Sequence, residues 1–432
     1  MSETALSAIA EINPRIRIPK EITGDDQVSF IPMGDVSESG DWITRQTRPL
    51  RSVAAGFTAF EEGDVLVAKI TPCFENGKGA HAQGLRNSIG FGSTEFHVLR
   101  ARQGVHPRFV FHVTQSRGFR QSAERRMVGS AGQQRVQRQF FDEFLVKDFS
   151  QGEQRAIVQI LDTLDTAIRD TGALIDKLKA VKQGLLYDLL TRGIDANGQL
   201  RPPQRDEPQL YKESPLGWVP REWECREFSV LADYLNGNTF DAAEWTDSGF
   251  PIIRIQNLNG SRDFNYYTGA IREKWHVHPG DLLFAWSGQR GVSFGARLWD
   301  GPEGVLNQHI FRVLPKVSLV SKMFLFRLLR FRQMNIEDAA HGFKDSFLHV
   351  TRGELGSVHA GVPSLDEQER IELRIAAYES KLLAEEAELV KLQSMKPGLM
   401  DDLLTGRMRV TALLESVPVA PIDQQPVRKM GA

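Results

Sequence analysis

The chain has 432 residues, of which 41% are hydrophobic, 25% charged and 9% aromatic, and its formal net charge is −2. That length exceeds what one ordinary hydrophobic core holds, so at least two domains are expected, and the proportions exclude a disordered chain or a membrane-embedded one. The near-neutral balance excludes a protein coated in positive charge and leaves local basic patches to be sought along the chain.

No run of about 18 apolar residues could span a bilayer, and residues 1–10 lack the basic, apolar and small-residue succession of a secretion signal, so the cytoplasm is the expected compartment. Cys73 and Cys225 are the only cysteines; far apart and without metal-ligating neighbours, they exclude a disulfide framework or a zinc cluster.

In chain order, residues 1–150 carry short β-rich runs between Gly, Asp and Asn turns, which predict strands near 64–70 and 94–99 and then a helix at about 107–127. Between positions 100 and 138, Arg100, Arg102, Arg108, Arg117, Arg120, Arg125, Arg126, Arg135 and Arg138 accompany a single acid, Glu124. Such a stretch can track phosphates, or it can be a solvated face whose charges pair with acids elsewhere in the fold.

A periodic segment follows at 151–194. Ile157, Leu161, Leu164, Ile168, Thr171, Ile175, Leu178, Lys182, Leu185 and Leu189 step alternately by four and three, which predicts a long coiled-coil helix. Forty residues at about 1.5 Å rise span roughly 60 Å. Residues 195–213, rich in Pro, Gln and charge, read as a linker.

The second half repeats the first. Glu153-Gln154 through Leu189-Leu190-Thr191 recurs without a gap 214 positions later as Glu367-Gln368 through Leu403-Leu404-Thr405. Ile371, Ile375, Tyr378, Leu382, Glu385, Leu389, Leu392, Lys396, Leu399 and Leu403 form the second seam, with polar residues where the first has Thr171 and Lys182. Before it, residues 214–362 parallel the first domain: Gly280-Asp281-Leu282-Leu283-Phe284-Ala285 matches Gly63-Asp64-Val65-Leu66-Val67-Ala68, and Phe311-Arg312-Val313-Leu314 matches Phe96-His97-Val98-Leu99. Strands are expected near 281–286 and 308–314, and a helix near 318–337. The second long helix covers 363–408, and a Pro-containing tail at 409–432 reads as flexible. The fold class is α+β: two tandem domains on a shared frame, joined by two long helices.

This order of domains and helices, each helix ending in a Gly-Leu-x-x-Asp-Leu-Leu-Thr pattern (Gly184-Leu185 through Thr191, Gly398-Leu399 through Thr405), resembles the specificity subunit of Type I restriction-modification systems. Gly217-Trp218-Val219-Pro220-Arg221-Glu222-Trp223 is similar to that family's opening of a target-recognition domain, and Gly280 through Gly288 and Val305-Leu306-Asn307-Gln308-His309-Ile310-Phe311 to its second-domain wording. The first half lacks the opening motif, so its N-terminal edge is expected to be built differently. The resemblance implies antiparallel long helices with pseudo-twofold symmetry, and recognition domains that each read half of a bipartite, asymmetric DNA site. It implies that the helices set the spacer and dock two modification subunits, which bring S-adenosylmethionine. Two restriction subunits would use ATP and Mg. No cofactor or metal and no catalytic residue would belong to this chain.

Independently, no Asn/Asp-Pro-Pro-Tyr/Phe motif, phosphate loop or dinucleotide fingerprint is present. Glu379-Ser380-Lys381, superficially like the end of a nuclease triad, lies on the second long helix and reads as a charge pair. His276-Val277-His278 could share a metal, but no third ligand is evident from sequence.

Base-edge readout calls for Arg or Lys against guanine and Asn or Gln against adenine. In the first domain the candidates are Lys69, Thr71 and Lys78 after the Gly63-Asp64 strand, and Arg125, Arg126, Gln133, Gln134 and Arg135 around a Gly-rich run. In the second they are Trp286, Ser287, Gln289 and Arg290, with Arg254, Asn257, Lys344 and Ser346. The rival reading is a coiled-coil adaptor that binds proteins and not DNA; a self-sufficient methyltransferase or nuclease stands behind it.

Overall fold

The computed structural model describes residues 2–130, 132–340 and 348–410. Lys344, Ser346 and most of the tail at 409–432 therefore lie outside the described residues. The chain divides into two compact units, one made of residues up to 173 together with those from 386 on, the other of Leu174–Glu385.

The first unit is built on two four-stranded sheets. In one, Ala10–Ile12, Phe96–Ala101, Val65–Ala68 and Gly79–His81 lie side by side, all antiparallel. In the other, Gln46–Pro49, Gln27–Ile31, Ile89–Gly92 and Thr58–Glu61 are neighbours, and Gln27–Ile31 runs parallel to Ile89–Gly92. Val65–Ala68 is buried on both faces: Val65 and Val67 enter the core that contains the helices, while Leu66 and Ala68 enter a second core. A strand's two-residue period makes that division.

The expected helix at 107–127 is two helices, Pro107–Gln115 and Arg117–Glu124. Ser116 is extended (φ −66°, ψ 147°), and its hydroxyl accepts the Phe119 N–H, so it ends one helix by capping the next. The first of the pair starts on a proline, whose missing N–H costs nothing there.

The second unit repeats both sheets in the same order. Ala232–Asn236, Ile310–Pro315, Leu282–Ala285 and Gly295–Leu298 form one; Tyr266–Tyr267, Phe250–Ile253, Gly304–Leu306 and His276–Val277 form the other, again with one parallel pair, Phe250–Ile253 with Gly304–Leu306. The register corrects one sequence parallel. Val65 faces Leu99 and Leu282 faces Val313; Ala68 faces Phe96 and Ala285 faces Ile310. Phe96 thus corresponds to Ile310, one residue before the Phe311 that the sequence suggested. Phe96 to Leu99 and Ile310 to Val313 are all buried, so no polar alternation betrays the slip.

The long helices span Gln151–Thr191 and Leu365–Leu404. Each unit contains a stretch of both. In the first unit Ile157 and Leu161 share a core with Met400 and Leu403, and Asp165 meets Lys396. In the second, Leu189 and Leu190 share a core with Ile371 and Ile375, and Lys182 meets Glu379. Partner numbers fall as the first helix rises, so the stretches are antiparallel within each unit. Ile157, Leu161, Leu164, Ile175, Leu178, Leu189, Ile371, Ile375 and Leu403 are buried, and Ile168, Leu185, Tyr378, Leu382, Leu389, Leu392 and Leu399 half-buried, whereas Leu373, Leu383 and Val390 off the seam are exposed.

Within residues 195–213, expected as a linker, Arg201 and Tyr211 are buried while much of the rest is exposed. Arg201 is 6% exposed and donates to Glu367 and Glu222, and Tyr211–Ser214 forms a hairpin with Gly217–Pro220. Polar composition signals exposure, but a guanidinium with two carboxylate partners can be buried. At the first unit's edge, Glu3–Ala5 pairs with Leu145–Lys147 much as Glu224–Glu227 pairs with His359–Val362.

Candidate nucleic-acid interface

In the first unit the two loops singled out from sequence are hydrogen-bonded to each other. Thr71 N donates to Gln134 O (3.0 Å) and Val136 N to Lys69 O (2.9 Å), while Val128 and Arg135 exchange bonds across a short hairpin. Gly129 (φ 142°) and Gly132 (φ 80°) supply the backbone that lets this hairpin turn. Lys69, Thr71, Gln133, Gln134 and Arg135 thus form one patch.

A carboxylate completes it. Glu95 O accepts from Lys69 N at 2.9 Å, and the Glu95 side chain takes Arg135 in a fork, Nε to Oε2 at 3.1 Å and Nη2 to Oε1 at 2.9 Å. These bonds hold the Glu95 carboxyl below its ordinary range. Arg135 remains 40% exposed, so the pair stands at the surface.

Around the patch, Thr71 donates to Glu75 (3.3 Å), Lys78 donates to Met33 O (3.3 Å) and Arg126 pairs with Glu143. The arginine-rich stretch resolves largely into pairs and buried anchors: Arg100 with Asp64 and Glu61, Arg108 with Asp162, Arg138 with Asp142. Arg120 is 7% exposed and holds Phe74 O and Gly77 O; burial pushes it down to about 10, which leaves it charged at neutral pH. Arg117 and Arg125 are exposed.

The second unit places different chemistry on the same frame. Trp286 N donates to His309 O and Val350 N to Trp286 O (2.9 Å), the counterparts of the bonds at Lys69. Ser287–Gly288 pairs with Leu348–His349 where the first unit has the Ile70 and Arg135 bridge. Lys69, Glu95 and Arg135 are therefore replaced by Trp286, His309 and His349. The indole lies 5.2 Å from the His309 ring and 5.7 Å from the His349 ring. Burial, then the neighbouring His349, pushes His309 below its ordinary value, so it is neutral at neutral pH.

Several second-unit candidates are committed within the fold. Asn257 is 3% exposed; its carbonyl accepts from Arg254 N and its amide donates to Ser261 O and Asp263 O, so it shapes a loop and presents no edge. Ser287 is 2% exposed and Trp286 Nε1 donates to Gln308 O. Arg254 stacks on Trp245 at 4.2 Å, and Arg290 lies 3.5 Å from the buried Glu337 while 48% exposed. Gln289 is exposed. Glu95, His309 and His349 were missed from sequence; aligning the halves 214 residues apart at these strands would have found them.

Each unit is fixed to its long helix by the same device. Gln154 accepts from His106 N and donates to Phe149 O; Gln368 accepts from Ser321 N and donates to Pro363 O and Leu319 O. Both are buried, and both tie the long helix's first turn to the start of a domain helix. The second unit adds Trp223 of the opening motif, whose Nε1 donates to Glu367 (3.2 Å) beside Arg201. Glu379, read from sequence as part of a surface charge pair, takes Arg327 in a fork and Lys182 of the first long helix, and is partly buried.

A duplicated α+β frame with unlike surface chemistry on two antiparallel helical stretches is the architecture of a two-domain recognition subunit. A family model for the Type I restriction modification DNA specificity domain matches residues 220–393. The chain is 31% identical to the Type I restriction enzyme EcoAI specificity subunit of Escherichia coli, over 80% of this chain and 68% of that one. Its fold is similar to the HsdS subunit of Thermoanaerobacter tengcongensis (TM-score 0.54, 15% identity, 94% of this chain and 97% of that one) and to a chain solved as part of a type I R-M system (TM-score 0.58, 16% identity, 94% and 98%). The chain belongs to the Type I restriction-modification specificity subunits. Among the described residues no helix is long and apolar enough to cross a membrane.

Proposed function

We propose that this chain supplies the DNA address of a Type I restriction-modification complex, each unit reading one half of a bipartite, asymmetric site. One observation carries this: three equivalent backbone positions hold Lys69, Glu95 and Arg135 in one unit and Trp286, His309 and His349 in the other. A common frame with a charged reader and an aromatic-imidazole reader makes two different sets of hydrogen bonds, as an asymmetric target requires.

The remaining parts follow from this reading. The long helices would relate the two units by pseudo-twofold symmetry, set the spacer between half-sites and dock two modification subunits carrying S-adenosylmethionine. Two restriction subunits would bring ATP and Mg, and this chain would act in the cytoplasm without a cofactor of its own.

Methylation mapping tests the proposal. A complex assembled with Lys69→Ala or Arg135→Ala should alter the methylated sequence in one half-site, and His349→Gln in the other. An adaptor would show salt-independent or absent DNA binding. Variants of a single unit that alter both halves would overturn the division of labour.

A further inference from the structure

His276, His278 and Glu303 converge at one end of the second unit's mixed sheet. Val277 is fully buried in the core, so strand alternation turns the two histidines to the opposite face together. Their strand pairs antiparallel with Gly304–Leu306, His276 against Val305 and Val277 against Gly304, which brings Glu303 alongside His278. The third ligand that the His-Val-His spacing lacked is supplied by this pairing.

We propose that these three side chains bind one divalent ion of the zinc class. Glu303 Oε1 lies 2.7 Å from His276 Nε2 and 3.6 Å from His278 Nε2, the imidazole rings are 4.4 Å apart, and one ligand atom from each residue falls within 4.8 Å of the others. Metal bonds of about 2.0–2.2 Å set tetrahedral ligand atoms roughly 3.4 Å apart, a spacing reached by small side-chain rotations.

Charge accounting favours an ion over a simple salt bridge. Glu303 is the carboxylate within reach of both Nε2 atoms; a proton on either one pairs it with that ring and leaves the other Nε2 unmatched, whereas a dication satisfies all three. The 2.7 Å contact lacks hydrogen-bond geometry, and His276 Nε2 is buried without a hydrogen-bond partner among the described residues. The edge of Phe250 packs on the His276 ring at 5.7 Å and restrains it. Asp281 Oδ2, which accepts from the His278 backbone N–H and from Arg312, stands 4.0 Å from His278 Nδ1. His278 and Glu303 are 46% and 48% exposed, so the ion can enter from solvent and keep water in its remaining position. The other His-carboxylate cluster, His112, Asp162 and Asp165, is already neutralised by Arg108 and Lys396.

Bound metal would pin the end of the His276–Val277 strand to the turn before Gly304. The inference is independent of DNA readout. It is tested by titrating zinc into the full, tag-free, chelator-treated chain by calorimetry, with cobalt(II) absorption as a spectroscopic probe and magnesium as control. One zinc per chain is expected. His278→Gln and Glu303→Gln should each weaken binding by about 100-fold or more, because outer-shell partners alone are worth about 10- to 100-fold. Zinc should raise the melting temperature of the unsubstituted chain and leave that of both variants unchanged. No uptake by the unsubstituted chain, equal affinity in both variants, or equally tight magnesium binding would overturn the assignment.

Discussion

Lys182 Nζ stands 2.7 Å from Glu379 Oε1, linking the two long helices at one of the polar positions of a mostly apolar seam. The internal repeat produces the same contact in the other unit with the helices exchanged: Lys396 Nζ lies 2.5 Å from Asp165 Oδ1, and each partner is 214 positions from its counterpart. The lysine breaks in the two heptad patterns are therefore matched ion pairs, which lock the register of the antiparallel stretches where leucines alone would tolerate a slip.

Glu379→Gln should cost about 2–3 kcal/mol, somewhat less than the roughly 3–5 kcal/mol of a fully buried pair, because it leaves the half-buried Lys182 without its carboxylate and Arg327 with Glu372 alone. Denaturant unfolding of the full chain measures it; a loss within about 0.5 kcal/mol, as for a surface site, would contradict the role. Hydrogen bonds from Arg327, opposed by burial and joined by Lys182, hold Glu379 at about 2. Its contribution is complete above the ordinary carboxylate value near 4.5 and disappears as pH falls from there toward 2.

Arg135→Ala should weaken specific DNA binding by about 1–3 kcal/mol if the guanidinium leaves Glu95 for a base. Glu95→Gln should do the reverse to affinity, tightening binding to all sequences by removing a negative charge from the patch. Fluorescence anisotropy at several salt concentrations separates the two, and identical curves for both variants and the parent would remove Arg135 and Glu95 from the interface.

Trp223→Phe keeps an aromatic ring and deletes the N–H given to Glu367. A hydrogen bond to a charged group is worth about 1.5–3 kcal/mol, so a loss of about 2 kcal/mol is expected. Gly193 (φ 61°) lies against the same carboxylate and indole, and a Cβ there would come 2.2 Å from Glu367 and 2.4 Å from Trp223. Gly193→Ala should therefore destabilise the second unit as well, which thermal unfolding would show; an unchanged midpoint for both variants would dissociate the opening motif from the helix anchor.

Stability should fall on mild acidification. Burial, with the nearby Arg108 charge, pushes His81 down to about 4, and burial moves His97, His106 and His112 in the same direction. Above pH 6.5 the His81 imidazole is neutral in both the folded and the unfolded chain; below it the unfolded chain takes up the proton first, so stability declines toward pH 4. His81 alone accounts for roughly 3 kcal/mol over that window, at about 1.4 kcal/mol per pKa unit. Unfolding midpoints at pH 7 and pH 5 check this, and His81→Leu should show a shallower decline; a flat profile would refute it.

The periodic and repeated features were legible from sequence because they are local. A heptad seam is written in successive residues, and Leu161, Leu178 and Ile375 are buried where their spacing put them. The strands around Val65 and Leu282 declared themselves by apolar runs between turn residues, and the duplication tied the halves together. The anchoring of Arg201 inside the expected linker and the strand register were not legible for a related reason: the burial of Arg201 depends on Glu367, far along the chain, and a strand buried on both faces carries no alternation to number it by.

Tertiary structure alone decided which polar groups are spent and which are offered. Asn257 and Arg135 are equally plausible as strings of letters; one closes its own loop and the other is held at the surface by Glu95, because hydrogen-bond partners are chosen by chain reversals that no local pattern encodes. The correspondence of Lys69, Glu95 and Arg135 with Trp286, His309 and His349 arises in the same way, from strand register and loop-to-loop bonding between segments tens of residues apart.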